Sequence, residues 1–109
     1  MNKQVMEDIP KWDVALEAVA LEQFRKLGRP LGLDDFKQLA NEFKIRFDDL
    51  MHSLSQLVEH NMWSQQGEDD RGNRVPDEML DGLFVYNRLD EKIAIKYSVV
   101  WQPLAKAYP

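Results

Sequence analysis

Hydrophobic residues recur at helical spacing in three stretches of this chain. The first covers residues 12–27, and the other two lie within residues 32–61, on either side of a break at residues 44–46. Side chains three or four positions apart share one face of a helix, so the pattern predicts three amphipathic helices, the last two forming a helix–turn–helix. The apolar stripes comprise Trp12, Leu16, Val19, Ala20, Phe24 and Leu27, then Leu33, Phe36, Leu39, Ala40 and Phe43, and then Phe47, Leu50, Met51, Leu54, Leu57 and Val58.

Residues that commonly start and stop helices agree with these boundaries. Gly28 is suited to end the first helix, because glycine readily adopts the left-handed conformation found after a helix C-terminus. Pro30 favours an extended neighbour, so residues 29–31 could form a short edge strand. Asp34 is expected to cap the second helix with its carboxylate.

After the third predicted helix, the pattern of hydrophobic residues is typical of strands. Residues 62–66 predict a short strand, and residues 83–89 are rich in residues that favour strands. Residues 92–101 alternate between two faces, which predicts a further strand, joined to the preceding one by a turn at Asp90-Glu91. One face of the alternating stretch carries Ile93, Ile95, Tyr97, Val99 and Trp101.

Residues 67–82 are polar and interrupted by glycine and proline, which predicts a long loop between the first two strands. Residues 76–80 could form one helical turn inside it, because proline is tolerated at a helix start. A single domain is expected over residues 1–109, with a core at 13–101 and flexible ends at 1–10 and 103–109.

This order of elements resembles that of the winged helix-turn-helix superfamily. The resemblance covers residues 13–101 and rests on LDDFKQLANEF, KIRF and DDLMHSLSQLVEHNMW and on the strands that follow. It implies an α+β fold in which three helices precede a small antiparallel sheet, with residues 67–82 as a long acidic wing. In the DNA-binding members, the helix equivalent to residues 47–61 would enter the major groove.

The composition narrows the class of protein. The 109 residues are 44% hydrophobic and 30% charged and include no cysteine, which favours a globular domain of a reducing, cytoplasmic environment. No apolar run reaches the roughly 18 residues of a membrane span, so no membrane association is expected. The sequence has no glycine-rich phosphate loop and no nucleophile elbow, so we expect neither an enzyme nor a cofactor.

No metal site is expected either. His52 and His60 are two helical turns apart, a separation of about 12 Å that is too long for one ion. Asp48 and His52 could provide half of a site, but no third ligand is evident.

The net charge of −5 is concentrated in the middle of the chain. The predicted helix at residues 47–61 contains three acidic residues and no lysine or arginine. The loop at residues 67–82 contains six acidic residues and two arginines, a net charge of −4. This distribution opposes binding to phosphates, which relies on lysine and arginine.

Two functional hypotheses follow from these features. In the first, the protein is a non-enzymatic interaction module whose acidic helix 47–61 and acidic wing 67–82 dock a basic protein surface. Its candidate partner-binding residues are Asp48, Asp49, His52, Ser53, Gln56, Glu59, Glu68, Asp69 and Asp70.

In the second hypothesis, the protein is a sequence-specific transcriptional regulator that binds double-stranded DNA. Polar side chains of helix 47–61 would read base edges, and basic residues near the turn and in the wing would contact phosphates. The candidate DNA-binding residues are Arg29, Lys44, Arg46, His52, Ser53, Gln56, Arg71 and Arg74.

The aromatic residues of the predicted strands leave a second copy possible as a partner. Phe84, Tyr86, Tyr97 and Trp101 belong to a small sheet, and the core is the expected place for them. Alternatively, some of them could contact a partner, and a homodimer could form through the edge strand or the first helix.

Overall fold

The structure is a computed structural model that describes residues 12–86 and 88–109, and in this part the chain folds into four α-helices and a small antiparallel sheet. The expectation for residues 1–10 lies outside the described residues. The helices are α1 (Val14–Leu27), α2 (Leu33–Glu42), α3 (Phe47–Glu59) and α4 (Glu91–Lys96). The strands are β1 (Leu31–Gly32), β2 (Trp63–Gln66), β3 (Phe84–Val85), β4 (Arg88–Leu89) and β5 (Val100–Pro103). Single 3₁₀ turns cover Asp77–Leu80 and Ala105–Ala107.

Helix α1 begins and ends at residues that satisfy its free backbone groups. The Asp13 carboxylate accepts hydrogen bonds from the amides of Ala15 and Leu16, at 2.9 and 3.3 Å. Gly28 has a φ of 68° and donates its amide to the Phe24 carbonyl at 2.8 Å. The predicted stop at Gly28 is therefore confirmed.

Helix α2 is capped by a different aspartate from the one expected. The helix begins at Leu33, and the carboxylate of Asp35 reaches back to accept the Gly32 amide at 2.8 Å. Asp34 lies in the first turn but makes no such bond, so the prediction that Asp34 caps the helix is wrong. The reason is position, because the third residue of a helix is the one that can fold back onto the cap amide.

The break between α2 and α3 is a tight turn, as predicted. Lys44 adopts a left-handed conformation with a φ of 55°, and the Ile45 amide donates to the Ala40 carbonyl at 2.9 Å. The two helices pack against each other on one apolar core.

The three-stranded sheet has the order β1-β5-β2, and both pairings are antiparallel. The predicted short strands are confirmed at β1, which is an edge strand, and at β2. Strand β5 lies between them and pairs Trp101 with Leu31 on one side and with Gln65 on the other. The largest fully buried side chains are Trp63, Trp101, Phe36, Leu31, Leu39, Leu50, Met51, Leu54, Leu57 and Leu83.

The predicted strand at residues 92–101 is wrong in its first half, which forms helix α4. The Asp90 carboxylate caps this helix by accepting the Lys92 amide at 3.0 Å. Ala94 is buried while Ile95 is 66% exposed, which is the reverse of what the alternating pattern required. The local cap therefore outweighed the alternation, and only β5 remains as a strand.

The predicted hairpin turn is also displaced. Strands β3 and β4 form a two-stranded antiparallel ribbon within the predicted strand at 83–89, in which Phe84 pairs with Leu89 and Val85 pairs with Arg88. The turn begins at Tyr86, which has a φ of 52°, and not at Asp90-Glu91. The connection from β2 to β5 therefore contains the loop at 67–82, the ribbon and α4.

The loop at residues 67–82 is held at both ends. Its predicted helical turn is confirmed as the 3₁₀ turn after Pro76, which buries Leu80. At the other end, Gly67 is buried against Tyr97, and the Val75 amide donates to the Gly67 carbonyl at 3.0 Å. The loop is thus anchored by Gly67, Val75 and Leu80, while residues 70–74 between them are exposed.

The C-terminal residues, for which the sequence predicts a flexible end at 103–109, make side-chain hydrogen bonds to the rest of the domain through Tyr108. The Tyr108 hydroxyl accepts the Trp63 indole N–H at 3.0 Å and donates to the Glu17 carboxylate at 2.5 Å. The other oxygen of Glu17 accepts the Trp12 indole N–H at 2.9 Å. Burial and the neighbouring Glu17 raise the pKa of Tyr108 well above its ordinary value.

Substituting Gly67 by alanine should destabilise the protein. A Cβ at this position would lie 3.0 Å from the Tyr97 Cβ and 3.2 Å from its carbonyl oxygen. Since Tyr97, including its backbone, would have to move by a few tenths of an ångström in a packed region, we expect a loss of about 1–3 kcal/mol in the free energy of unfolding, measured in urea. Gly82→Ala is the control, because its nearest contact would be the flexible end of Ile93 at 3.4 Å. Equal midpoints for the two variants would contradict the prediction.

Substituting Tyr108 by phenylalanine should lower the free energy of unfolding by about 1–3 kcal/mol, because the buried Trp63 indole loses its hydrogen-bond acceptor. The effect should depend on pH. A raised pKa in the folded state means that the neutral hydroxyl stabilises the fold fully below about pH 10 and that this contribution is lost at higher pH. Urea unfolding of both proteins across this range should show a difference that shrinks as the pH rises. Tyr86→Phe, at a 94% exposed position, is the matched control.

Candidate interaction surface

Helix α3 presents its acidic residues to solvent. Its apolar stripe, which includes Leu50 and Leu54, faces the core, and Asp48, Asp49 and Glu59 are exposed on other sides of the helix. The first two lie in the first turn, where negative charge also stabilises the N-terminus of a helix. These two aspartates therefore both support the helix and charge its surface.

Of the three polar residues proposed to contact DNA bases, Ser53 and Gln56 are not fully exposed on this surface. Ser53 is only 3% exposed, and its hydroxyl accepts the Asp13 amide at 3.3 Å, so it is not accessible to a partner or to DNA as its role in both hypotheses requires. The physical reason is the packing of the start of α1 against α3, which covers that side of the helix. Gln56 is half-buried, whereas His52 is exposed.

A shallow groove adjoins the acidic turn of α3. It has a volume of about 440 Å³ and lies between the start of α1 and the first half of α3. Asp49 and His52 line it together with Asp13 and Leu16. The groove offers carboxylates and an imidazole, which attract cations and hydrogen-bond donors.

The ribbon of β3 and β4 adds a residue that the sequence analysis missed. Arg88 of β4 lies 3.4 Å from the Asp48 carboxylate, and both side chains are at least half exposed. The two residues are 40 positions apart, so no spacing in the sequence could have indicated the pair. An exposed pair of this kind contributes little to stability, but it brings the ribbon to the N-terminal end of α3.

The acids of the loop at 67–82 have different roles. Glu68 and Asp70 are exposed. The Asp69 carboxylate instead accepts the amides of Arg71 and Asn73, both at 2.9 Å, and so shapes the loop. Asp69 is therefore a structural residue first, while its neighbours are available to solvent.

Two of the candidate phosphate-binding arginines are already engaged with carboxylates. Arg29 makes a bidentate contact with Asp35, at 2.8 and 3.0 Å, which raises the pKa of Arg29 and lowers that of Asp35. Arg74 lies 3.9 Å from Asp77. Lys44, Arg46 and Arg71 are exposed, and no carboxylate of the described residues lies within ion-pair distance of them.

A second cleft, of about 430 Å³, separates the end of α3 from the loop at 67–82. Its walls include Asn61 and Ser64 on one side and Arg74, Asp77 and Asp81 of the loop. None of the candidate partner-binding acids on α3 and in the loop lines this cleft, whose acidic residues are Asp77 and Asp81.

The described residues contain no cluster of histidine and acidic side chains that could hold a metal ion. Every buried side-chain nitrogen or oxygen among them has a hydrogen-bond partner. No helix in residues 12–86 or 88–109 is long and apolar enough to cross a membrane.

Comparison with known proteins finds no significant match for this chain: neither a family model, nor a curated protein sequence, nor a solved structure is similar to it. The surface of α3 therefore has to be interpreted from its own geometry and charge.

Substituting Asp35 by alanine should remove both the cap of α2 and the partner of Arg29. Loss of such a capping carboxylate costs about 1 kcal/mol, and the same substitution at Asp34 should cost much less. The lowered pKa of Asp35 means that its contribution is present above about pH 4 and is lost as the pH falls further. Urea unfolding of both variants at neutral and acidic pH tests this, and equal effects of the two substitutions would contradict it.

Proposed function

We propose that this protein is a non-enzymatic protein-interaction module on a winged-helix-like scaffold. Helices α2 and α3 with their tight turn, followed by a small antiparallel sheet, are compatible with that arrangement. The observation that carries the proposal is the exposed surface of α3, on which Asp48, Asp49 and Glu59 meet solvent and which has no lysine or arginine of its own. Such a surface complements a basic protein partner.

The exposed acids of the loop at 67–82 support the same partner chemistry. Glu68 and Asp70 add negative charge, and nearby Asp77 and Glu78 are exposed as well. Charges on an exposed surface act mainly on the rate and specificity of association, and salt weakens them. We therefore expect a partner whose binding is fast and sensitive to ionic strength.

The alternative, a DNA-binding regulator, has weaker support. Ser53 is buried, and Arg29 and Arg74 are engaged with carboxylates, so one proposed base reader and two proposed phosphate contacts are occupied within the protein. Lys44 and Arg46 at the turn, and Arg71 in the loop, are the exposed residues that favour it. Asp48 and Asp49 would repel phosphates in the position where a groove-binding helix meets DNA.

Reversing the charge of the acidic turn should strongly weaken binding to a basic ligand. The probe is a fluorescein-labelled peptide of alternating lysine and serine, followed by fluorescence anisotropy from low to physiological salt. For Asp48→Lys with Asp49→Lys we expect the affinity to fall about tenfold or more, because attraction becomes repulsion. Asp48→Asn with Asp49→Asn should give a smaller loss and keeps the test valid if the lysine variant unfolds.

The matched control is Glu22→Lys with Asp34→Lys, which makes the same change in net charge at exposed positions of other helices. An equal loss in this control would mean that only net charge matters and would contradict a docking surface on α3. Labelled duplex DNA is titrated in parallel. Binding of DNA that is tight at low salt and falls steeply with salt would favour the regulator instead.

A further inference from the structure

The tip of the β3–β4 ribbon exposes large apolar side chains. Tyr86 is 94% exposed and Val85 is 51% exposed, whereas Phe84 and Leu89 at the base of the ribbon are half-buried. A tyrosine usually buries much of its ring when its role is to stabilise a fold. The ring of Tyr86 therefore contributes little packing to this protein.

The backbone at Tyr86 is unfavourable for a bulky residue. Its φ of 52° lies in the left-handed region, which glycine and asparagine adopt readily and aromatic residues rarely adopt. The chain thus carries a residue at this turn that suits neither the backbone conformation nor the solvent. Strained backbone conformations cluster at functional sites, and tyrosine is enriched among the residues that carry binding energy.

The ribbon is fixed next to the acidic turn of α3. The Val85–Arg88 pairing and the ion pair of Arg88 with Asp48 place the ribbon beside the N-terminal end of the helix. At the base of the ribbon, the Asp90 amide donates to the Leu83 carbonyl at 2.7 Å. The apolar tip and the acidic turn therefore flank a common edge of the molecule.

We propose that Val85 and Tyr86 form the apolar anchor of the α3 interaction surface, and that the occupant is a basic protein segment with apolar side chains between its basic residues. This inference rests on the proposed function and specifies its partner. The partner segment should be basic because the surface of α3 is acidic. Asp48 already forms an ion pair with Arg88, but Asp49 and Glu59 have no ion-pair partner among the described residues. A tyrosine in such a position is typical of the few residues that carry most of the binding energy of an interface.

The apolar tip is too small to form an interface alone, so it should act together with the acidic surface of α3. A stable interface buries about 800 Å² on each partner, which two side chains cannot supply. The acidic surface of α3 has to provide the remainder, and its charges then set the orientation of the segment. The tip contributes affinity, and α3 contributes specificity.

The test compares two fluorescein-labelled peptides on the full chain, one of alternating lysine and leucine and one of alternating lysine and serine. The lysine–leucine peptide should bind more tightly, and Tyr86→Asn should weaken it about tenfold, the equivalent of about 1.4 kcal/mol. The lysine–serine peptide should be unaffected by this substitution. Ile95→Gln, which removes a 66% exposed apolar side chain on α4, is the matched control and should change neither affinity.

Stability is measured alongside binding. Asparagine suits the left-handed turn, so Tyr86→Asn should unfold in urea at the same concentration as the original protein or a higher one. Weaker peptide binding without loss of stability is the combination that supports an anchor. A lower urea midpoint with unchanged binding would assign Tyr86 a structural role and overturn the inference.

The other outcomes separate this inference from the proposed function. If Asp48→Lys with Asp49→Lys weakens binding of the lysine–leucine peptide but Tyr86→Asn does not, the inference about the ribbon tip is wrong and the proposed function of α3 is retained. If neither change affects binding of the peptide, both the proposed function and the inference about the ribbon tip are wrong. If Tyr86→Asn instead abolishes concentration-dependent self-association in sedimentation, or binding to duplex DNA, the tip belongs to a second copy or to nucleic acid and the inference is overturned.

Discussion

The pairing of β5 with both of its neighbours is the interaction on which the rest of the structure depends. This strand joins β1, which precedes the helix–turn–helix, to β2, which follows it. Its Trp101 is fully buried, packs edge-on against Phe36 at 5.6 Å and donates its indole N–H to Gln65 at 3.2 Å. Trp101 thus connects the sheet to α2 and to the core. Because β5 pairs with both β1 and β2, it also fixes the two strands that lie at the start and the end of the helix–turn–helix.

The candidate surface follows from this arrangement. With its apolar stripe committed to the core, α3 can only expose its remaining sides, and those sides carry acids. The connection between β2 and β5 then returns along α3 and brings the ribbon to its N-terminal end, where Arg88 meets Asp48. Charge from one segment and apolar area from another become neighbours, which neither segment could provide alone.

Sequence reasoning was most successful where the cause of the structure is local. Helix α1 and the turn after α2 depend on residues such as Gly28 and Lys44, whose neighbours in the chain satisfy the free backbone groups. It failed at α4, because Ile93 and Tyr97 fit one face of a strand and also the i, i+4 spacing of a helix. The choice was made by the cap at Asp90 and by the burial of Ala94, and burial depends on what packs above it.

For the candidate site, the sequence by itself determined the acidity of α3 and of the loop at 67–82, since charge is a property of composition. Only the tertiary structure decided which of those side chains are available. It buried Ser53 beneath the start of α1, engaged Asp69 within its own loop, and placed Arg88 against Asp48 from 40 positions away along the chain. Availability depends on contacts between distant segments, and such contacts follow from how the whole core packs, which no local pattern encodes.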